Sequence, residues 1–246
     1  MDLFFEIHKD LPREGPGDSN STRQAFRKMS TLPDEPVILD VGCGPGAQTL
    51  DLAALSNGVI HAVDTHQPFL DRLQMKVIEQ GLNQRVKVSN QSMSALDFPP
   101  ASFDLVWSEG AIYIMGFEAG LRKWKPLLKP AGFIAVTELT WLQPNPPAEV
   151  YEFWQNAYPA MKSLEENLKI IYDSNYFLID YFVLPKTSWT EEYYRPMQAR
   201  IAMLREQHPH DLKIQKFLDE EQAEIDMYQK YHQWYGYVFY IMQNKS

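Results

Sequence analysis

Two carboxylates and a cluster of glycines are the residues here whose types and spacing could do chemistry. Asp40 ends the apolar run "VILD", and Gly42, Gly44 and Gly46 follow it in "GCGPG", with a helical segment opening at Ala47. Glycine weakens regular structure, so three of them between a strand and a helix mark a place where the backbone must pass close to something. Asp64 ends the next apolar run, "VIHAVD". Two ligands fit this pattern. Gly42, Gly44 and Ala47 satisfy G-x-G-x-x-G/A, with Asp64 at the distance from which a dinucleotide's ribose is held. S-adenosylmethionine (SAM) fits as well. It has no pyrophosphate to seat on a helix N-terminus, but its ammonium suits Asp40 and its ribose hydroxyls suit Asp64 as charge-assisted hydrogen bonds. A plain strand-to-helix turn is the third reading, and an acid on each of two strand ends argues against it.

Other side chains are nominated by position. Ser108, Glu109 and Tyr113 follow the apolar run "FDLVW". Glu109 suits a base, a contact to a cationic acceptor, or a simple helix cap. Glu138 and Trp141 end the next run and are candidates for an acceptor pocket, with ordinary core packing as the alternative for Trp141. Arg13, in "REGPGD", can fold over a ligand carboxylate. Tyr193, Tyr194 and Arg195 in "WTEEYYRP" are candidate lid residues. Cys43, the only cysteine, sits between glycines with no base near it in sequence and reads as a small filler. The six histidines show no metal-ligand spacing.

The elements that must position these residues alternate. Strand-like runs at "VILDV", "VIHAVD", "RVKVSN", "FDLVWS" and "FIAVTEL" are separated by helical segments, one of them "QPFLDRLQMKVIEQG" with proline near its start and glycine at its end. Such alternation means βαβ units, hence a mainly parallel sheet covered on both faces. Before it, "RQAFRKM" reads as a short helix capped by Ser21 or Thr22. "EAGLRKWKPLLKPAG" reads as a helix, broken or kinked near Pro126, that stops at a Pro-Ala-Gly turn. After Leu139 the rhythm changes to an aromatic, proline-rich stretch. Two polar helices follow over roughly 190–234, and "YFLIDYFVLP" and "YGYVFYIMQN" read as an antiparallel pair finishing the sheet. One domain is expected over 1–246, with an N-terminal cap over 1–35, a cofactor-binding core over 36–140, and a lid insertion with the last strands over 141–246.

Composition narrows the function. The 246 residues are 45% hydrophobic with a formal net charge of −9, which disfavours nucleic acid as a partner. No apolar stretch is long enough to span a bilayer, and "MDLFFEIHKDLPREG" lacks the basic start of a secretory leader. The expectation is a cytoplasmic protein acting on a small molecule.

Over nearly its whole length the sequence resembles the class I SAM-dependent methyltransferases. "LDVGCGPGAQT" is similar to their first motif, Asp64 to their second, "SNQSMSALDFP" to the loop lining the adenine, "FDLVWSEGAIYIM" to the fourth-strand motif and "LLKPAGFIAVTE" to their "LLKPGG". The resemblance implies a Rossmann-like, seven-stranded α/β sheet, mostly parallel with an antiparallel last strand and helices on both faces. It implies SAM as methyl donor and S-adenosylhomocysteine (SAH) as product. Asp40, Gly42, Gly44, Gly46, Gln48, Asp64, Thr65, Ser92, Met93, Ser108 and Arg13 would then hold the cofactor. Glu109 and Tyr113 would stand nearest the chemistry, and Glu138, Trp141 and Tyr194 would line the acceptor pocket. Where many relatives place an acid against the adenine, this chain has "QSM", so Ser92 and backbone groups would serve, with Met93 packing on the ring. "WSEGAIY" and "LPKTSWTEEYYRPM" further resemble a bacterial subgroup of small-molecule methyltransferases.

Overall fold

The computed structural model describes residues 3–245. Met1 and Asp2, part of the segment read for a leader, lie outside them, as does Ser246. The chain opens with α1 (Leu3–His8) and α2 (Ser19–Phe26). The cap of α2 is Asp18, whose carboxylate accepts from Ser21 N at 2.9 Å, rather than Ser21 or Thr22 themselves. An acid at that place both accepts the orphan N–H and answers the helix dipole.

The alternation follows as β1 (Val37–Val41), α3 (Ala47–Leu55), β2 (Val59–Asp64), α4 (Gln67–Glu79), β3 (Val86–Asn90), β4 (Phe103–Ser108), α5 (Phe117–Trp124) and β5 (Leu128–Trp141). The second half runs α6 (Ala148–Ala157), β6 (Lys162–Ser163), α7 (Leu164–Asp173), β7 (Tyr176–Val183) and α8 (Lys186–Trp189). A π-helical turn over Thr190–Tyr194 leads into α9 (Arg195–Gln207), and α10 (Leu212–Tyr231) and β8 (Tyr235–Asn244) complete the fold.

The sheet order is β3-β2-β1-β4-β5-β8-β7, with two-residue β6 paired to β5. The strands from β3 to β5 pair in parallel, and β8 runs antiparallel to both β5 and β7. The expected mostly parallel sheet with an antiparallel final strand is therefore present. The last strand does not take the edge, because β7 pairs outside it.

One boundary differs from the sequence reading. The Pro-Ala-Gly segment lies inside β5, whose register against β4 shifts between Phe103 and Leu105 while Ala131 adopts φ +57°. Between those pairs β5 holds three more residues than β4, an extended bulge that lets Pro130 sit where no ladder hydrogen bond is needed.

Side chains alternate across a strand. On β1, Ile38 packs with Leu52 and Leu73 on one side of the sheet, while Leu39 and Val41 pack with Leu121 and Trp124 on the other. Asp40 therefore shares the face of Ile38, beneath α3. Strand order reverses between β1 and β4, and a ligand crevice opens at such a switch point beyond the carboxyl ends of the strands.

Candidate active site

A cavity of about 320 Å³ occupies that crevice. Gly42 and Gly44 wall it, as do Asp64 and Thr65 from the end of β2, Ser92 and Met93 after β3, and Gly110 after β4. Gly42, at φ +73°, is required by close approach, since a Cβ there would fall 2.4 Å from Ala111 Cβ. The loops after β1 and β4 touch across it. Gly46 has a different task. At φ +87° it is the N-cap of α3, and a Cβ there would fall 2.2 Å from Leu73 Cδ1, so it brings α3 against α4 and does not wall the cavity.

The two acids that opened the sequence reading separate. Asp64 reaches the cavity. Its carboxylate accepts from the backbone N–H of Gly44 at 3.0 Å, Thr65 at 2.7 Å and His66 at 2.9 Å, which orients it before any ligand arrives. Asp40 is fully buried and is absent from the cavity wall. It accepts from Thr49 Oγ1 at 2.5 Å and from Gln48 Nε2 at 3.4 Å, and burial pushes its carboxyl up to about 7. Gln48 does wall the cavity. Strand alternation turns Asp40 beneath α3, so Gln48, which donates to it, stands between Asp40 and the cavity.

Glu109 is a clasp. Its Oε1 accepts from Thr22 Oγ1 at 2.7 Å and Trp107 Nε1 at 2.9 Å, and its Oε2 accepts from Arg13 Nη1 at 3.1 Å. Burial pushes its carboxyl up, and the Arg13 guanidinium pulls it back. The cap reading is not met, since the N-cap of α5 is Gly116. Arg13 does reach the cavity, yet its guanidinium is engaged by Glu109 and, at 3.3 Å, by Asp51. The N-terminal segment is further tied by His8 Nδ1 to Glu14 Oε2 at 2.7 Å and by the Phe5 ring stacked on His66 at 3.5 Å.

Tyr113 stands at a junction. It walls the first cavity and a second one, of about 230 Å³, that also shares Glu14, Gly15 and Gly110 with it. Glu138, Trp141 and Tyr194, expected to line an acceptor pocket, are on neither wall, whereas Tyr193, a candidate lid residue, does wall the second cavity. Glu138 is buried and accepts from Tyr158 Oη at 2.7 Å, and it is Tyr158 that faces the second cavity. Tyr194 lies behind Tyr193 and donates to Glu224 at 2.9 Å. Trp141 stacks on Tyr151 at 6.1 Å, away from both cavities. Ser108 donates to Val41 O at 2.9 Å and ties β4 to β1 from inside. Cys43 is buried, with its thiol pushed well up by burial, as a filler would be.

Sequence reading missed Glu14, Glu221 and Glu224, all on the wall of the second cavity. A signal for one of them exists. Ile214, Leu218, Ile225 and Tyr228 form the buried stripe of α10, and Glu221 occupies the stripe position between Leu218 and Ile225. An acid at a core position of a helix is worth querying.

Comparison with known proteins agrees with this fold. Residues 38–132 match the methyltransferase domain family. A dimethylglycine N-methyltransferase of Parasynechococcus marenigrum is 33% identical over 108 residues, covering 44% of this chain and 39% of that protein. The chain spans less than half the length of the curated relatives it matches first. SAM-dependent methyltransferases of Thiobacillus denitrificans and Geobacter sulfurreducens, both solved with SAH, superpose with TM-scores of 0.85 and 0.83 at 17% and 18% identity. Those superpositions cover 98% of this chain in both cases, and 98% and 97% of the two structures. Fold and site together define a Rossmann-like methyltransferase architecture. Residues 38–132 carry a methyltransferase domain, and the chain as a whole has the fold of the SAM-dependent methyltransferases it superposes on.

Proposed function

We propose that the protein transfers a methyl group from SAM to a small molecule held in the second cavity. The observation that carries this is the first cavity itself, where the ends of β1, β2, β3 and β4 converge on one space. The residues present fit the donor. Gly42 and Gly44 open room for its methionine arm, and a Cβ on Gly44 would lie 3.2 Å from Glu14 Cγ. Asp64 is pre-set by three backbone N–H groups to accept from ribose hydroxyls, and Ser92 and Met93 offer a polar and an apolar contact to the base. SAM supplies an activated methyl on a sulfonium. The chain's task is to hold the acceptor atom about 3 Å from that methyl, in line with the sulfur, and to keep water out.

Residues 3–35 act as a cap in this reading, fastened by Glu109, and the aromatic segments after β5 form a lid over the acceptor. Tyr113, where the cavities meet, is the side chain nearest the transfer. No described helix is long and apolar enough to cross a membrane. With the net charge of −9, this supports a cytoplasmic enzyme acting on a small molecule rather than on nucleic acid. Titration calorimetry tests the cofactor: SAH should bind in the micromolar range and NAD should not. NAD binding without SAH binding overturns the proposal.

A further inference from the structure

The second cavity has an unusual wall. Its faces are aromatic, with Tyr113, Trp154, Tyr158, Trp189, Tyr193 and Tyr237 among them, and three carboxylates reach it, Glu14, Glu221 and Glu224. A fourth, Glu138, stands behind Tyr158. Among the described residues no lysine or arginine lines it. The one basic side chain there is His8, already held by Glu14. Glu14 Oε1 is buried with no hydrogen-bond partner, and so is the indole Nε1 of Trp189, a residue only 2% exposed.

Half-buried acids that share one histidine between them are costly unless something more answers them. An anionic acceptor would meet three carboxylates and only a histidine already held by Glu14. A neutral hydrocarbon would leave the carboxylates unanswered. A cation satisfies both features at once, since carboxylates supply opposite charge and ring faces attract an ammonium through their quadrupole. The unpartnered Trp189 Nε1 suits an oxygen elsewhere on the same ligand.

We propose that the second cavity takes an amine, and that its nitrogen is the methyl acceptor; this rests on the first cavity being the SAM site. Tyr113 borders both spaces, so the nitrogen sits at the end where they meet. The neutral amine is the nucleophile. Its lone pair forms the new N–C bond while the methyl C–S bond breaks, the bonding pair passing to sulfur. Any proton left on the nitrogen goes to a cavity carboxylate. Burial pushes Glu221 up to about 7, where a carboxyl group can take such a proton and release it to water.

Calorimetry on the full chain tests this with choline as the cationic probe. The controls are its uncharged isostere, in which a quaternary carbon replaces the nitrogen, and the corresponding carboxylate. Choline should bind at least about tenfold more tightly than either, the scale of a desolvated cation–aromatic site. Glu221→Gln and Glu224→Gln should each weaken choline about tenfold and leave SAH affinity unchanged. The two variants guard against one failing to fold, since Glu224 is bonded to Tyr194. Equal or tighter binding of the uncharged isostere, or choline affinity unmoved in both variants, overturns the amine assignment while SAH binding would still stand. Choline binding without SAH binding instead overturns the cofactor reading, and with it the acceptor role.

Discussion

Arg13 and Glu109 meet at 3.1 Å across 96 positions of sequence, with side chains only 8% and 4% exposed. The pair fastens the N-terminal segment to the end of β4, at the cavity wall. Removing one member of a buried pair strands a charge, which costs about 3–5 kcal/mol, whereas replacing both can be nearly neutral. Arg13→Met should therefore destabilise the protein by about 3–5 kcal/mol, and Arg13→Met with Glu109→Gln should recover part of that loss. Urea unfolding of the four proteins measures it. Strict additivity would show that the pair does not act as a clasp.

Asp64 gives the sharpest test of the cofactor site. Asp64→Ala removes the proposed ribose contact and also three acceptances that shape the turn, so its effect is mixed. Asp64→Asn keeps one oxygen for the Thr65 and His66 N–H groups and loses the charge and the acceptance from Gly44. It should weaken SAH by about 1.5–3 kcal/mol, the scale of hydrogen bonds to a charged group, and lower stability by about 1 kcal/mol for the one lost turn bond. Wild-type SAH affinity in folded Asp64→Asn would remove Asp64 from the site.

How much of this was legible in sequence follows from what each signal encodes. Strand and helix periodicity set the sheet, and the glycines with Asp64 located the first cavity, because these are short-range patterns. Asp40 lies one side chain behind the cavity wall, since the apolar run shows a strand but not what packs over its end. Glu138, on β5, stands behind Tyr158 for the same reason, and Tyr194 stands behind Tyr193 because the π-helical turn faces it toward α10. Glu14, Glu221 and Glu224 come from segments more than 200 positions apart, and only the packing of α10 beside the N-terminal segment brings them together. Such a juxtaposition has no local signature beyond the acid in the stripe of α10.

Asp40 makes stability depend on pH. Burial raises its folded carboxyl to about 7 against an ordinary value of 3.8. Between those values the folded state holds a proton that the unfolded state has lost, so stability falls as pH rises through that window and levels off above it. The shift corresponds to about 4 kcal/mol at most. Asp40→Asn has no proton to lose and can still accept from Thr49. Its stability relative to wild type should improve between pH 4.5 and 7.5, read from denaturant midpoints at the two values. A wild-type protein whose Asp40→Asn difference is constant with pH would contradict the raised carboxyl.

Gly46 and Leu73 provide a test confined to packing. Alanine at 46 must hold a left-handed backbone and place its Cβ 2.2 Å from Leu73 Cδ1. Overpacking and backbone strain each cost about 1–3 kcal/mol, so Gly46→Ala should lower stability by about 2–5 kcal/mol. Adding Leu73→Ala removes the clash but neither the strain nor the cavity that losing a buried leucine creates. The double variant should therefore be more stable than the two single losses would sum to, yet remain below wild type. Because Gly46 does not wall the first cavity, SAH affinity per folded molecule should stay close to wild type in both proteins. A selective loss of SAH affinity in fully folded Gly46→Ala would instead place this glycine at the ligand, as the motif alone had suggested.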